Sequence, residues 1–113
     1  MPHIIVEYAD DVLNQQGAIL LCQQLFNVVE ETAMFEPANI KVRMYPVSIY
    51  KTASESNGFI HVQCRIHRGR TAEQKKFLTQ SITNVLCNME IIDCIFTAEV
   101  IDIDTESYSK LVC

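Results

Sequence analysis

Polar and apolar positions alternate, or recur at helical spacing, along nearly the whole chain. His3-Ile4-Ile5-Val6-Glu7-Tyr8 is rich in β-branched and aromatic residues and follows Pro2, which a strand tolerates only at its start or on an edge. This predicts a first strand over residues 3–8. Asp10 and Asp11 are candidate helix caps, and Leu13, Leu20, Leu21, Leu25, Val28 and Val29 then recur at helical spacing until Glu36-Pro37 forbids continuation. Gly17 weakens that helix without ending it.

Residues 40–50 alternate Ile40, Val42 and Met44 with Lys41, Arg43 and Tyr45, the period of a strand with two unlike faces; Pro46 points to an edge or a bend. A polar turn over residues 54–58 leads to a third strand over residues 59–68, with Ile60, Val62, Cys64 and Ile66 opposite Phe59, His61, Gln63, Arg65 and His67. Thr71-Ala72-Glu73-Gln74 has the form of a capping box, with Leu78, Ile82, Val85, Leu86 and Met89 as the apolar stripe behind it. A last strand spans residues 94–104, with Phe96, Ala98 and Val100 opposite Ile95, Thr97, Glu99, Ile101 and Ile103. A short tail over residues 105–113 is free to pack on a neighbour.

The order strand, helix, strand is thus used twice, and each half can close a right-handed βαβ crossover. The expected architecture is one α+β domain over residues 1–113, two layers deep, with two helices on one face of a four-stranded mixed sheet. The other face carries Ile101, Ile103, Val47, Ile49 and Phe59, too much apolar surface to leave wholly in water, so a homo-oligomer that buries it is expected.

Composition narrows the function. The chain has 113 residues and a formal net charge of -5, which gives no general attraction for nucleic acid or anionic membranes. No apolar run approaches the ~20 residues of a membrane span and no basic-then-apolar leader opens the sequence, so a cytoplasmic protein is expected. The five cysteines, Cys22, Cys64, Cys87, Cys94 and Cys113, lack zinc or redox spacing and read as reduced packing residues. The three glycines form no phosphate loop. His3 and His61 read as hydrogen-bonding residues within strands, and His67, Arg68 and Arg70 cluster just ahead of the second helix, where backbone amides favour anions.

Met1-Pro2-His3 running straight into Ile4-Ile5-Val6-Glu7-Tyr8 resembles the start of the 5-carboxymethyl-2-hydroxymuconate isomerase family of the tautomerase superfamily. The likeness continues in order through Phe35-Glu36-Pro37, Ile40-Lys41-Val42-Arg43, Phe59-Ile60-His61-Val62 and Gly69-Arg70-Thr71. It weakens in the first helix and in the tail. The resemblance implies a homotrimer of βαββαβ subunits with the sheets facing inward. It also implies a catalytic base, the secondary amine of Pro2 made N-terminal by removal of Met1.

An α-amino group titrates near pH ~7.7–8.0, and burial or a nearby cation lowers that value, which suits a neutral base at physiological pH. The implied substrate is a small enol di- or tricarboxylate of the 2-hydroxymuconate type, converted without cofactor or metal. Arg70 matches the family's arginine after the third strand as a carboxylate and enolate ligand. Of the two family arginines in the Ile40-to-Arg43 stretch, the second is kept as Arg43, and the first is Lys41, which keeps the charge but loses the planar fork. Three outcomes follow as expectations: an isomerase acting through Pro2 with Arg70, Lys41 and Arg43 binding substrate; a weakly active or non-enzymatic trimeric binding protein on the same fold; or a related proline-based reaction such as hydration or dehalogenation.

Overall fold

The structure, a computed structural model, describes residues 1–53 and 57–113. The chain runs β1 (Pro2–Ala9), α1 (Gln15–Glu31), a short 3-10 turn (Pro37–Asn39), β2 (Lys41–Val47), β3 (Gly58–His67), α2 (Ala72–Cys87) and β4 (Cys94–Ile103). The four strands form one mixed sheet in the order β2-β1-β3-β4, with β1 parallel to β2, β3 parallel to β4, and the two pairs joined antiparallel through β1 and β3. This is the expected two-layer α+β fold.

Register explains why one face is a core and the other is not. Ile4 lies beside Val42 and Cys64, and Cys64 beside Val100; one residue along, Ile5 lies beside Arg43 and Gln63, and Gln63 beside Glu99. Strand side chains alternate, so the first set and its equivalents two residues away all point to the helices. Ile4, Val6, Ile60, Val62 and Cys64 are fully buried there against Leu21, Leu25 and Val29 of α1 and Leu78, Ile82 and Leu86 of α2. Pro46 sits in β2, an edge strand, where its missing N–H costs one ladder partner at most.

Helix α1 departs from the sequence expectation at both ends. Its cap is Asn14, whose Oδ1 accepts from the Gly17 N–H at 2.8 Å, and not Asp10 or Asp11. Those two aspartates lie in the preceding turn, where the Asp10 N–H donates to the Val47 carbonyl and Asp11 accepts from the Tyr50 hydroxyl. The helix ends at Glu31, well before Pro37, because the chain turns through Ala33 at φ 58. Its buried stripe is Ala18, Leu21, Leu25 and Val29; Leu20 is 51% exposed and Leu13 precedes the helix. An apolar residue at helical spacing is therefore not always on the buried face.

Helix α2 fits its sequence signature closely. The Thr71 hydroxyl accepts from the Gln74 N–H at 3.1 Å, and Gln74 Oε1 accepts from the Thr71 N–H at 2.9 Å. Strand β2 is shorter than expected: it ends at Val47, and Ile49 lies in a bend, 92% exposed, beyond the sheet. Of the turn expected over residues 54–58, residues 54–56 lie outside the described residues and Gly58 already belongs to β3. All five cysteines are free thiols, but Cys87 and Cys113 are exposed and so do not pack as expected. Burial pushes the Cys64 thiol up to about 12, which keeps it protonated and apolar within the core.

Candidate functional site

Strand β1 starts at the terminus itself, so the head of the chain is locked into the sheet by the pairing of Pro2 with Ile66 of β3. The Pro2 ring is fully buried. The amine of Met1, one residue out, is held below its ordinary value of 8.0, first by burial and then by the positive charges of Lys110, Lys41 and Arg70. Three cations from three separate segments thus act on one amine in a chain of net charge -5.

Arg70 arrives from the β3-to-α2 connection. Gly69 precedes it at φ 116, a left-handed conformation that a side-chain-bearing residue adopts only with strain. One Arg70 terminal nitrogen donates to the Met34 carbonyl, and the guanidinium lies over the Phe35 ring, 5.2 Å from its centre. Its Nε is buried and has no hydrogen-bond partner among the described residues. A buried donor without an acceptor costs about 1–3 kcal/mol, and such atoms mark places where a missing acceptor belongs. The capping box uses the amide of Thr71 and that of Gln74, and the Arg70 guanidinium stands just ahead of that helix start.

Lys41 opens β2. Its ammonium lies 3.4 Å from the Asn39 carbonyl, to which it donates, and 3.7 Å from the Met1 sulfur. Lys110 comes from the tail, and its ammonium donates to the Asn39 side-chain oxygen at 3.0 Å. Nothing in the sequence pattern singled out Lys110, because the tail has no periodicity and the family likeness fades there. Its only sequence signal is that a lone cation follows the last strand of an acidic chain.

Arg43 goes elsewhere. Its terminal nitrogen is 3.1 Å from His3 Nδ1. A guanidinium only donates, so Nδ1 accepts, the ring proton sits on Nε2, and Nε2–H donates to the Tyr108 hydroxyl oxygen at 2.9 Å. Burial, followed by the charges of Arg43, Lys41, the terminal amine and Arg65, lowers the His3 pKa from its ordinary 6.5, consistent with a neutral ring. The Tyr108 ring also meets His67 edge-on at 4.9 Å, and His67 Nδ1 bonds Thr105, so His67 turns to the tail and not to Arg70.

His3, Arg43, Arg65, Asp102, Ser107 and Tyr108 help line a cleft of about 510 Å³ on the open sheet face. The site residues read from the sequence therefore divide: Pro2, Lys41 and Arg70 gather at the terminus, whereas Arg43 fixes His3 on the open face. Further along that face His61 Nε2 donates to Glu99 at 2.5 Å and Nδ1 lies 2.6 Å from the Thr97 hydroxyl. Among the described residues no cluster of three His, Cys, Asp or Glu forms a metal site, and no helix is long and apolar enough to cross a membrane.

Residues 2–106 match the family model described as 5-carboxymethyl-2-hydroxymuconate isomerase. In structure the chain is similar to a 5-carboxymethyl-2-hydroxymuconate isomerase from Deinococcus radiodurans R1, with 25% identity, TM-score 0.85, and 97% of this chain covering 88% of that one. It is also similar to a 5-carboxymethyl-2-hydroxymuconate delta-isomerase, with 16% identity, TM-score 0.82, and coverage of 99% and 89%. A third likeness is to a fused 4-OT described as a wild-type symmetric trimer, with 22% identity, TM-score 0.76, and coverage of 96% and 93%. The last two likenesses bear on the fold alone. No curated protein matches the chain in sequence.

Proposed function

From the premise that the chain belongs to the 5-carboxymethyl-2-hydroxymuconate isomerase family, and so carries an isomerase function of the tautomerase type, we propose that Pro2, freed by removal of Met1, is its general base. Burial and three neighbouring cations already depress the amine one residue out. The same causes act on the proline nitrogen and favour a neutral secondary amine at neutral pH. That nitrogen takes the enol O–H proton of a 2-hydroxymuconate-like acid. The O–H electron pair becomes the carbonyl π bond, the diene pair shifts along the chain, and the proton is returned from the proline to a distal carbon.

Arg70 holds a substrate carboxylate or the developing enolate oxygen, and Lys41 holds a carboxylate on the other side of the terminus. Arg43 serves from the open face by fixing His3 next to the proline. The observation that carries the reading is the buried, unpartnered Nε of Arg70 beside a cation-ringed terminus. No cofactor or metal enters the proton transfer. The working unit is proposed to be a homotrimer that covers the open sheet face, in keeping with Tyr45, 48% exposed, and Ile95, 53% exposed, on that face.

The test is Pro2→Ala with removal of Met1 verified by intact mass. For phenylenolpyruvate, kcat/KM is expected to fall roughly 10²–10⁴-fold while the protein stays folded by circular dichroism. The native enzyme is expected to gain activity as pH rises through the titration of the proline amine, because only the unprotonated amine is a base. Full activity in the variant, or in protein that retains Met1, overturns the proposal.

A further inference from the structure

The family match ends at residue 106, yet the tail beyond it is tied back to β1, β3 and the turn ahead of β2. Two of its residues hold it there. Tyr108 receives the His3 Nε2–H at 2.9 Å and presses its ring against His67, and Lys110 reaches back to Asn39 at 3.0 Å. The tail also folds on itself, with the Ser107 and Tyr108 amides donating to the Asp104 carbonyl.

Asn39 is the common anchor of two ammonium groups: its side-chain oxygen takes Lys110 and its carbonyl takes Lys41. Both acceptors are neutral, and among the described residues neither lysine is paired with a carboxylate. Two like charges held on one residue repel each other, and an anion between them relieves that repulsion. Arg70 stands apart from this pair, anchored on Met34 and Phe35.

We propose that Lys110, positioned by the Tyr108 clasp, is a specificity-determining residue that pairs with Lys41 to receive a second carboxylate of the enol acid, while Arg70 receives the first. This deepens the function proposed above and rests on it. Two ammonium groups on one anchor supply the pair of donors that a single guanidinium fork would supply, and this accounts chemically for a lysine at position 41. The part of Lys110 is to set such an acid, with its second carboxylate, ahead of a monocarboxylate with an aryl or alkyl end. That the Lys110 charge also ranks first among those acting on the terminal amine agrees with its nearness.

The experiment compares Lys110→Met and Lys110→Arg with the native full chain, each with a verified proline terminus. Steady-state kinetics are run on 2-hydroxymuconate and on phenylenolpyruvate. Lys110→Met is expected to raise KM for the dicarboxylate about tenfold more than KM for the monocarboxylate, while the loss of a cation beside the amine moves the pH dependence of both reactions upward alike; Lys110→Arg restores most of the difference. Calorimetric titration of a saturated dicarboxylate analogue reads the same binding without turnover, so the proposal remains testable if the Pro2 chemistry fails. Equal loss for both substrates, or unchanged analogue affinity in Lys110→Met, overturns the role of Lys110 and leaves the Pro2 proposal standing. Lys110 is exposed and makes no core contact, so misfolding does not confound the result.

Discussion

The two faces of the sheet are built from the same four strands and follow opposite rules. On the helix side, Ile4, Val6, Ile60, Val62 and Cys64 are sealed under Leu21, Leu25, Leu78 and Ile82, with no buried polar or charged residue among those described. One residue along each strand, the open side carries His3, Arg43, Arg65, His61 and Glu99 among Ile5, Tyr45, Phe59 and Ile101. The first face holds the fold together by burial. The second spends few apolar contacts and instead fixes long side chains by hydrogen bonds, such as Arg43 to His3 and His61 to Glu99. Stability and chemistry are thus divided by strand parity, and they meet only at the head of β1. There Pro2 is buried on the helix side while its neighbour His3 is held on the other.

The largest expected break in this division comes from the sealed face. Ile60→Ala is expected to cost roughly 2–5 kcal/mol in denaturant unfolding, since a fully buried side chain leaves a cavity, whereas Gln63→Ala on the open face should stay within about 0.5 kcal/mol. Comparable losses for the two variants would erase the distinction between the faces.

A smaller, different effect is expected from Ile101→Glu, which places a charge on the half-buried open face. Sedimentation velocity should show a shift from the proposed trimer to monomer with a circular dichroism spectrum little changed. An unaltered sedimentation coefficient means that this face is not the subunit interface.

The smallest effect is a pH slope. Because the folded His3 pKa lies below its ordinary 6.5, the unfolded chain binds more protons in that window. The contribution is therefore fully present above pH 6.5 and is lost as pH falls through the lower, folded value. His3→Gln is expected to flatten the fall of Tm on the acid side of pH 6.5 and to leave Tm nearly unchanged above it. A native and a variant curve that run parallel below 6.5 would show that His3 is not the group responsible.

Much of the architecture was legible before any coordinates. The period-two run of β3 set the buried Ile60, Val62, Cys64 and Ile66 apart from their neighbours, because alternation is a local property of an extended chain. The Thr71–Gln74 box identified the start of α2 for the same reason: both partners lie within one turn. The start of α1 was misread because three residues able to cap, Asp10, Asp11 and Asn14, stand close together. Only the pairing of the Asp10 amide with Val47, far along the chain, decides that the first two belong to a turn. Leu20 was misplaced because helical spacing alone does not say which of two neighbouring stripes meets the sheet.

The sequence by itself determined the order of elements, the parity of the strands and a proline at the head of the chain. It also supplied the family likeness that ties Arg70, Lys41 and Arg43 to that proline. Only the tertiary structure decided which charges gather there. It brought Lys110 to Asn39 across 71 positions and joined Arg43 to His3, the neighbour of Pro2, across 40. The physical reason is range: hydrophobic period and capping act within a few residues. The ends of long cationic side chains are fixed by whichever acceptors the closed sheet brings beside them.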